Sequence, residues 1–440
     1  MGWTYYPELL ATPVPRYTSY PTAAEFSDKV GARELGEALS AIATDQPISL
    51  YVHIPYCHEI CWYCGCNTGA ANKAHRLSAY LDTLHEEISL VASKLGGRGR
   101  VQRIAFGGGS PNAISPDQFA ALLARLRGAF AVDNAILSIE LDPRSLDKCW
   151  YEAIAAAGIG RASLGVQTLD DKVQRSIGRI QPERMIRSAV DELRRAGVRS
   201  LNFDLMYGLP RQGLAELQAT LEATIEMGPD RIALFGYAHV PHLIPRQRRI
   251  DDKLLPEPEL RFAQAELGHK MLTHVGYEPI GFDHYARPSD PLSLAARQGR
   301  LRRNFQGFTD DNSETLIGLG ASAISQFAGL IAQNEKNAGR YKIRVSSGLL
   351  PVTHGIVRRP QDQLNGRIVE RLLCDGEADV RDCFSLELLD RLKPFLDRGL
   401  ATIECGRLRL PDYGRPYARV IAALFDQHRQ PAAKRFSNAI

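Results

Sequence analysis

The stretch ISLYVHIPYCHEICWYCGCN, residues 48–67, joins a short apolar, β-branched run to four closely spaced cysteines. The run ISLYVHI has the length and residue types of a buried strand, and Pro55 ends it. Cys57, Cys61, Cys64 and Cys66 then follow with the spacing C-x3-C-x2-C-x-C. The other four of the eight cysteines, Cys149, Cys374, Cys383 and Cys405, are scattered and read as ordinary small buried or surface residues. A strand that ends in a loop of chemically active side chains is the arrangement to look for elsewhere in the chain.

It recurs. Outward from this stretch, residues 49–240 alternate candidate strands (VQRIAF, AILSIEL, RASLGVQ, SLNFDLMYG, RIALFGYAHV) with amphipathic helices. Among the helices are RLSAYLDTLHEEISLVASKL, PDQFAALLARLRGAF, RMIRSAVDELRRAG and GLAELQATLEATIEM. Such alternation implies parallel strands joined by crossover helices. Six units fit a partial (β/α)6 barrel or an open doubly wound sheet, and in both the chemistry sits on loops after the C-terminal ends of the strands. The cysteines follow the first strand and GGGSPN the second; Glu140, Gln167, Asp204 and Ala238 mark the ends of the third to sixth.

The flanks differ. Residues 1–30 are rich in Pro and Tyr without a clear period, as in an extended arm packed over something or, equally on composition, a frayed terminus. Residues 31–359 hold the α/β unit with its extension. Residues 360–440 read as helix, helix, a hairpin turning at Cys405 and Gly406, and a last helix, YGRPYARVIAALFDQH. That makes a small, mostly helical, winged-helix-like domain, which can bind DNA or cap a barrel.

Composition narrows the class. With 44% hydrophobic and 24% charged residues the chain is an ordinary globular one. No window approaches the ~18 apolar residues of a membrane span, and the N-terminus lacks a signal-like run, so a soluble, cytoplasmic protein without membrane contact is expected. In a reducing compartment clustered cysteines point to metal or redox chemistry rather than disulfides. The net charge of +4 is mild and suits a substrate bearing several carboxylates; no nucleic-acid partner is expected. The basic stretches PRQRRIDDKLL and RQGRLRRNF, interrupted by acids, read as solvated faces.

For the cysteines, structural zinc normally takes two separated pairs, or a cysteine pair followed by a histidine pair, and no second pair follows here. His53 and His58 are poor candidates to complete a tetrahedron in so tight a loop. Iron–sulfur ligation suits the density of thiols better. Three cysteines can hold three corners of a cubane and leave one iron open for S-adenosylmethionine (SAM), whose sulfonium bond can be cleaved by one electron to give a 5'-deoxyadenosyl radical. Tyr63, before the third cysteine, can pack on adenosine.

The C-x3-C-x-aromatic-C motif followed by GGGSP resembles the radical SAM superfamily. PRYTSYPT, YVHIPYCHEICWYCGCN, GGGSPN, ELDPR, LGVQ, DLMYGLPRQ, YAHVP, GFDHYARP, RNFQGFT and GASAIS then run in the order found in the oxygen-independent coproporphyrinogen III oxidase family, and the resemblance extends to the final RFSNAI. It implies a partial radical SAM barrel with an N-terminal arm and a helical C-terminal domain. The implied reaction is oxidative decarboxylation of two propionates of coproporphyrinogen III to vinyl groups, giving protoporphyrinogen IX in haem biosynthesis. The radical would abstract a propionate β-hydrogen.

By this similarity Cys57, Cys61 and Cys64 ligate a 4Fe-4S cluster and two SAM molecules bind. Tyr51, Gly108, Glu140 and Ile324 match the first SAM site; Tyr63, Gly109, Ser110, Gln167, Arg179, Asp204 and Ala238 match the second. An electron donor such as flavodoxin or ferredoxin and a monomeric state are further expectations, as is a lid formed by the arm around Arg16, Tyr17 and Tyr20.

Each residue has a plainer reading. The glycines can form a mere turn, and Glu140 and Asp204 can cap helices. A haem-trafficking relative shares the three-cysteine motif, but such relatives typically lack the fourth cysteine and the PRYTSYPT arm. Cys66 is expected to lie outside the ligand set, and with Gly65 extended its side chain would point away from that of Cys64.

Overall fold

The computed structural model describes residues 2–71 and 74–429; the RFSNAI match lies outside them. Six strands stand side by side in chain order, each parallel to the next: β1 (Pro47–Ile54), β2 (Arg100–Gly108), β3 (Val132–Leu141), β4 (Arg161–Gln167), β5 (Ser200–Tyr207) and β6 (Arg231–Gly236). Helices α1 (Ala74–Leu95), α2 (Pro116–Ala129), α3 (Lys148–Ala157), α4 (Glu183–Arg195), α5 (Leu214–Met227) and α6 (Pro258–His274) follow them. A doubly wound sheet reverses its strand order at a switch point. No reversal occurs among these six, so the partial barrel is the architecture.

Two-residue alternation builds its two faces. Ile48, Leu50, Val52 and Ile54 of β1, with Ile104 and Phe106 of β2 and Leu201, Phe203 and Leu205 of β5, join the apolar core beneath the helices. The intervening residues face the lumen, and many are polar: Ser49, Arg103, Glu140, Arg161, Ser163, Asn202 and Asp204 line one internal chamber. Local signals place the helices. Ser115 accepts from the Gln118 amide at 3.2 Å while the Gln118 side chain accepts from the Ser115 amide at 3.0 Å, a capping box that starts α2. Left-handed Gly158 and Gly228 close α3 and α5.

The sheet continues on both sides to twelve strands. Thr315–Leu319 runs parallel to β1 and is followed by antiparallel Ile324–Gln326, Leu330–Asn334 and Val352–Val357. His284–Ala286 and Glu278–Ile280 extend the β6 side. At the outer edge, Ser27 of the arm exchanges two backbone hydrogen bonds with Gly355, both 2.9 Å. A side chain on Gly355 would meet the Ile331 carbonyl and Val30, so only glycine permits this approach.

A second apolar cluster joins the arm to the C-terminal region: Leu10, Val14, Tyr17 and Tyr20 pack with Ile368, Leu372, Leu392, Tyr417 and Phe425. Trp3 stacks on His269 at 4.8 Å, the Tyr6 amide donates to the Tyr417 hydroxyl at 2.9 Å, and the Tyr17 hydroxyl donates to Asp426 at 3.0 Å. The described arm is therefore packed rather than frayed. Beyond it, Pro360–Asp375 and Leu386–Leu396 are helical, and the hairpin Thr402–Glu404/Arg407–Arg409 turns at Cys405 and Gly406, both with positive φ. Strand Glu377–Asp379 adds to this hairpin. The last expected helix is instead three short pieces, Asp412–Tyr417, Ala418–Ala422 and Ala423–Phe425, of which only the middle one is α-helical; Pro416, without an amide hydrogen, prevents one continuous helix.

Candidate active site at the barrel mouth

The cysteine loop leaves β1 through a neck in which Tyr56–Cys57 pairs with Gly69–Ala70, tied by the Gly69 amide to the Pro55 carbonyl (2.8 Å) and the Ala71 amide to the Cys57 carbonyl (2.8 Å). The glycines of β2 press against it. The Gly109 amide donates to Ile54 O (2.9 Å) and the Ser110 amide to Tyr56 O (2.8 Å). A Cβ on Gly107 would stand 2.7 Å from the Glu140 carboxyl, on Gly108 2.6 Å from the His53 ring, and on Gly109 2.5 Å from the Tyr56 backbone. Gly107 to Gly109 therefore serve close approach and not just a turn. Trp62 seals the other side: its indole lies over Gly178, whose φ of +64° and missing side chain make the room.

Cys57, Cys61 and Cys64 line one cavity of about 190 Å³ together with Tyr63, Gly108, Gly109, Glu140, Gln167, Arg179 and Asp204. Five strand ends thus meet there. Cys61 Sγ accepts from Arg144 Nη2 at 3.3 Å and Arg179 Nη1 at 3.2 Å. Asp142 holds both guanidiniums, at 2.7 Å and 3.3 Å, and they keep its carboxyl below the usual range although burial pushes the other way. Arg179, only 5% exposed, also donates to Gln181 Oε1 at 3.0 Å. Burial pushes the Cys57 thiol up to about 12; hydrogen bonding from Cys66, with Arg246 and Arg179 nearby, outweighs burial at Cys64 and pulls it down to about 6.

Burial, then repulsion by Asp204, raises the Glu140 carboxyl to about 7. Asp204, also raised by burial, accepts from Ser163 Oγ at 2.9 Å and Asn202 Nδ2 at 2.8 Å. Glu140 accepts from the Gly108 amide at 3.2 Å, so neither carboxylate merely caps a helix. Both also line the internal chamber of about 360 Å³, which links the mouth to the lumen.

The remaining matched residues stand around this cavity rather than on it. Tyr51 is buried, its hydroxyl 3.2 Å from His53 Nδ1. Ile324 backs onto Gly318, which is in register with Tyr51. The Ser110 hydroxyl is buried against Asn112, which is bonded to the Asp142 backbone. Ala238 offers its carbonyl to Gln247 Nε2 at 3.0 Å.

Two expectations need correction. Cys66 does not point away: its amide donates to Cys64 Sγ at 3.4 Å and it lines the same cavity, because the chain turns after Cys64 instead of running extended. The basic stretches are not simply solvated faces. Gln247, 1% exposed, ties Tyr63 O (2.9 Å) to Ala238 O, Arg246 reaches Thr68, and Arg249 lies over Trp62 at 4.5 Å. Arg303 is buried between Phe282 and Phe308. Asp142, Arg144, Arg246 and Gln247 were thus missing from the expected site. ELDPR carried the first two as a motif without a role, and nothing in PRQRR distinguishes a cavity-facing arginine from an exposed one.

Among the described residues no group of three or more His, Cys, Asp or Glu side chains is placed to hold a single ion. A cubane spreads its thiolates around four irons, so three cysteines on one cavity wall, with guanidiniums facing a sulfur, fit a 4Fe-4S cluster with an open corner.

Comparison with known proteins agrees. Residues 51–224 match the Radical SAM superfamily. The oxygen-independent coproporphyrinogen III oxidase of Bradyrhizobium diazoefficiens is 40% identical over 437 residues, 97% of each chain, and that of Escherichia coli 36% identical over 97% of this chain and 96% of its own. The solved coproporphyrinogen III oxidase of Escherichia coli, described as a radical SAM enzyme, superposes with a TM-score of 0.91 at 35% identity, covering 98% of this chain and 100% of its own. With a three-cysteine mouth on a six-strand parallel barrel and likeness along nearly its whole length, the chain belongs to the oxygen-independent coproporphyrinogen III oxidase family.

Proposed function

We propose that the chain is the radical SAM oxidoreductase that converts coproporphyrinogen III to protoporphyrinogen IX without oxygen. The observation that carries this reading is the joint cavity of Cys57, Cys61 and Cys64 with Glu140, Arg179 and Asp204. The 4Fe-4S cluster and SAM, when bound, would supply a hydrogen-abstracting 5'-deoxyadenosyl radical; turning a propionate into a vinyl group removes one hydrogen atom from its β-carbon and releases carbon dioxide and one electron, the electron passing to an external one-electron acceptor. The protein's task is positioning and exclusion of water.

Cys57, Cys61 and Cys64 are the proposed cluster ligands. For a first SAM, Glu140 suits the cationic amino group, Gly108 allows close backbone approach, and Tyr51 and Ile324 brace that wall. A second SAM would draw on Tyr63, Gly109, Ser110, Gln167, Arg179, Asp204 and Ala238, with Arg179 toward a carboxylate and Asp204 toward an amine. Ser110 and Ala238 would act through backbone they help to fix. The division into arm (1–30), catalytic unit (31–359) and C-terminal domain (360–440) is supported by the separate second apolar cluster, though the arm shares that cluster.

We further propose a monomer in the cytoplasm served by a flavodoxin or ferredoxin; among the described residues no helix is long and apolar enough to cross a membrane. The test is anaerobically reconstituted protein with SAM, reductant and coproporphyrinogen III, read for 5'-deoxyadenosine and carbon dioxide. Both products are expected. 5'-Deoxyadenosine without carbon dioxide would retain the radical chemistry and sink the substrate; tight haem binding with neither product would favour a haem-trafficking role.

A further inference from the structure

A second cavity, of about 60 Å³, lies where the arm, the ends of β5 and β6, α6 and the segment after the C-terminal hairpin meet. Arg16, Arg261, Arg415 and Arg419 line it, with Asp283 as the carboxylate on its wall. Arg415 is ion-paired with Asp412, Nε to Oδ1 at 3.3 Å; Arg16 and Arg261 supply the spare positive charge beside Asp283. Asp283 is itself engaged by His284 Nδ1 at 2.7 Å.

Arg16 and Arg261 are held by backbone carbonyls, which fix their direction without neutralising them. Arg16 Nη2 donates to Gly236 O at 2.7 Å, Arg261 Nη2 to Tyr237 O at 2.6 Å, and Arg415 Nη1 to Gly281 O. Arg261 Nε is buried with no hydrogen-bond partner, an expensive state unless a ligand completes it. Burial, with Tyr207 opposing and Arg16 adding to it, pushes the Arg261 guanidinium down, and burial followed by Arg16 pushes Arg419 to about 10, so burial is the main cost at both. Tyr207, Tyr237, Phe262 and Phe282 supply the remaining walls. Such a space admits a few water-sized groups and no macrocycle, and cationic ends on aromatic walls suit a carboxylate on a short alkyl stem.

We propose that this cavity binds one propionate arm of the substrate, one not undergoing decarboxylation, and so anchors the ring at the barrel mouth. The assignment rests on the reaction proposed above. Tyr207 and Gly236 end strands β5 and β6, whose neighbours Asp204 and Ala238 belong to the proposed SAM site, so an anchor here holds the rest of the ring toward the cysteine cavity. It also gives the arm and the C-terminal segment a shared purpose, because Arg16 of the one and Arg415 and Arg419 of the other stand on its walls.

The same chemistry could be met by the methionyl carboxylate of SAM, and the test separates the two. Reconstituted wild-type holoenzyme, Arg261→Gln and Arg16→Gln are titrated anaerobically with coproporphyrin III, the coloured tetracarboxylate, and separately with SAM. Loss of a charge-assisted hydrogen bond should weaken porphyrin binding by about tenfold or more in each variant, leave SAM affinity within about twofold, and spare binding of the porphyrin tetramethyl ester. Unchanged porphyrin affinity in both variants overturns the proposal, as does a loss confined to SAM. Should Arg261→Gln fail to fold, Arg16→Gln, on the arm, decides by the same criteria. Wild-type carbon dioxide release from coproporphyrinogen III with unaffected variants sinks only the cavity, whereas wild type that neither binds coproporphyrin III nor releases carbon dioxide sinks the underlying reaction.

Discussion

The two ends of the barrel use the same groups for opposite purposes. At the floor Asp310 accepts from Arg103 at 2.9 Å and 3.0 Å and from Arg161 at 2.7 Å and 2.9 Å, and beside it Asp311 accepts from Ser49. At the mouth Asp142 likewise grips Arg144 and Arg179, but each guanidinium keeps one N–H on Cys61. The floor satisfies its charges within the chain and closes the lumen. The mouth leaves cationic hydrogen bonds on sulfur, which suits thiolates carrying a cluster. Paired arginines and aspartates therefore mark a plug in one place and a cofactor wall in the other; what distinguishes them is whether a soft ligand shares the cations.

The contrast can be broken from either end. The largest effect belongs to the mouth: Cys64→Ser should lose nearly all iron and all 5'-deoxyadenosine formation, while Cys66→Ser keeps most of its iron, as measured per polypeptide after anaerobic reconstitution. Equal losses would make Cys66 a ligand. Next is the floor. Asp310→Ala strands the half-buried Arg161 guanidinium, leaves Arg103 with Asp311 as its remaining carboxylate at 3.5 Å, and should cost about 3–5 kcal/mol in denaturant unfolding. Burial would raise the Asp310 carboxyl, but Arg161 and Arg103 hold it far below its usual range. Its stabilisation is therefore complete above the unfolded value of ~3.9 and fades as pH falls toward the folded one. Wild type should lose stability below about pH 4 more steeply than Asp310→Ala.

Smaller effects sharpen the boundary between loop and barrel. Gly109→Ala drives a methyl into the Tyr56 backbone and should cost roughly 1–3 kcal/mol with a fall in iron content, although no ligand is touched; full iron retention would show that the neck can shift freely. Gln247→Leu removes the bridge between Tyr63 and Ala238 and should cost about 1–3 kcal/mol and weaken SAM binding severalfold, with iron content unchanged. A drop in iron instead would tie Gln247 to the cluster rather than to the cofactor beside it.

Much of this is legible in the sequence. The six strands fall where the β-branched runs stand, RASLGVQ over Arg161–Gln167 without shift, because each is short, apolar on its core face and bounded by helical period. The strand-end rule brought Glu140, Gln167 and Asp204 to one cavity with three cysteines. Other parts resisted for physical reasons. Gln247 and Arg303 look like surface residues in a basic run, because burial of a polar side chain depends on partners distant in sequence, here Tyr63 and Tyr17. The direction of Cys66 depended on a turn that no residue pattern announced. The strands after residue 277 are three to six residues long, too short for a period to show.

The pairing of Ser27 with Gly355 has a bearing on life in a crowded solution. A barrel left open must end in a strand with unpaired backbone groups, a ready template for another chain. Val352–Val357 is that outermost strand, and Val357 is exposed. By laying its own backbone across the middle of this strand, the arm occupies the place a stray strand would take. The same segment that brings Arg16 to the substrate side thus guards the sheet against self-association, and shortening it would endanger solubility as well as catalysis.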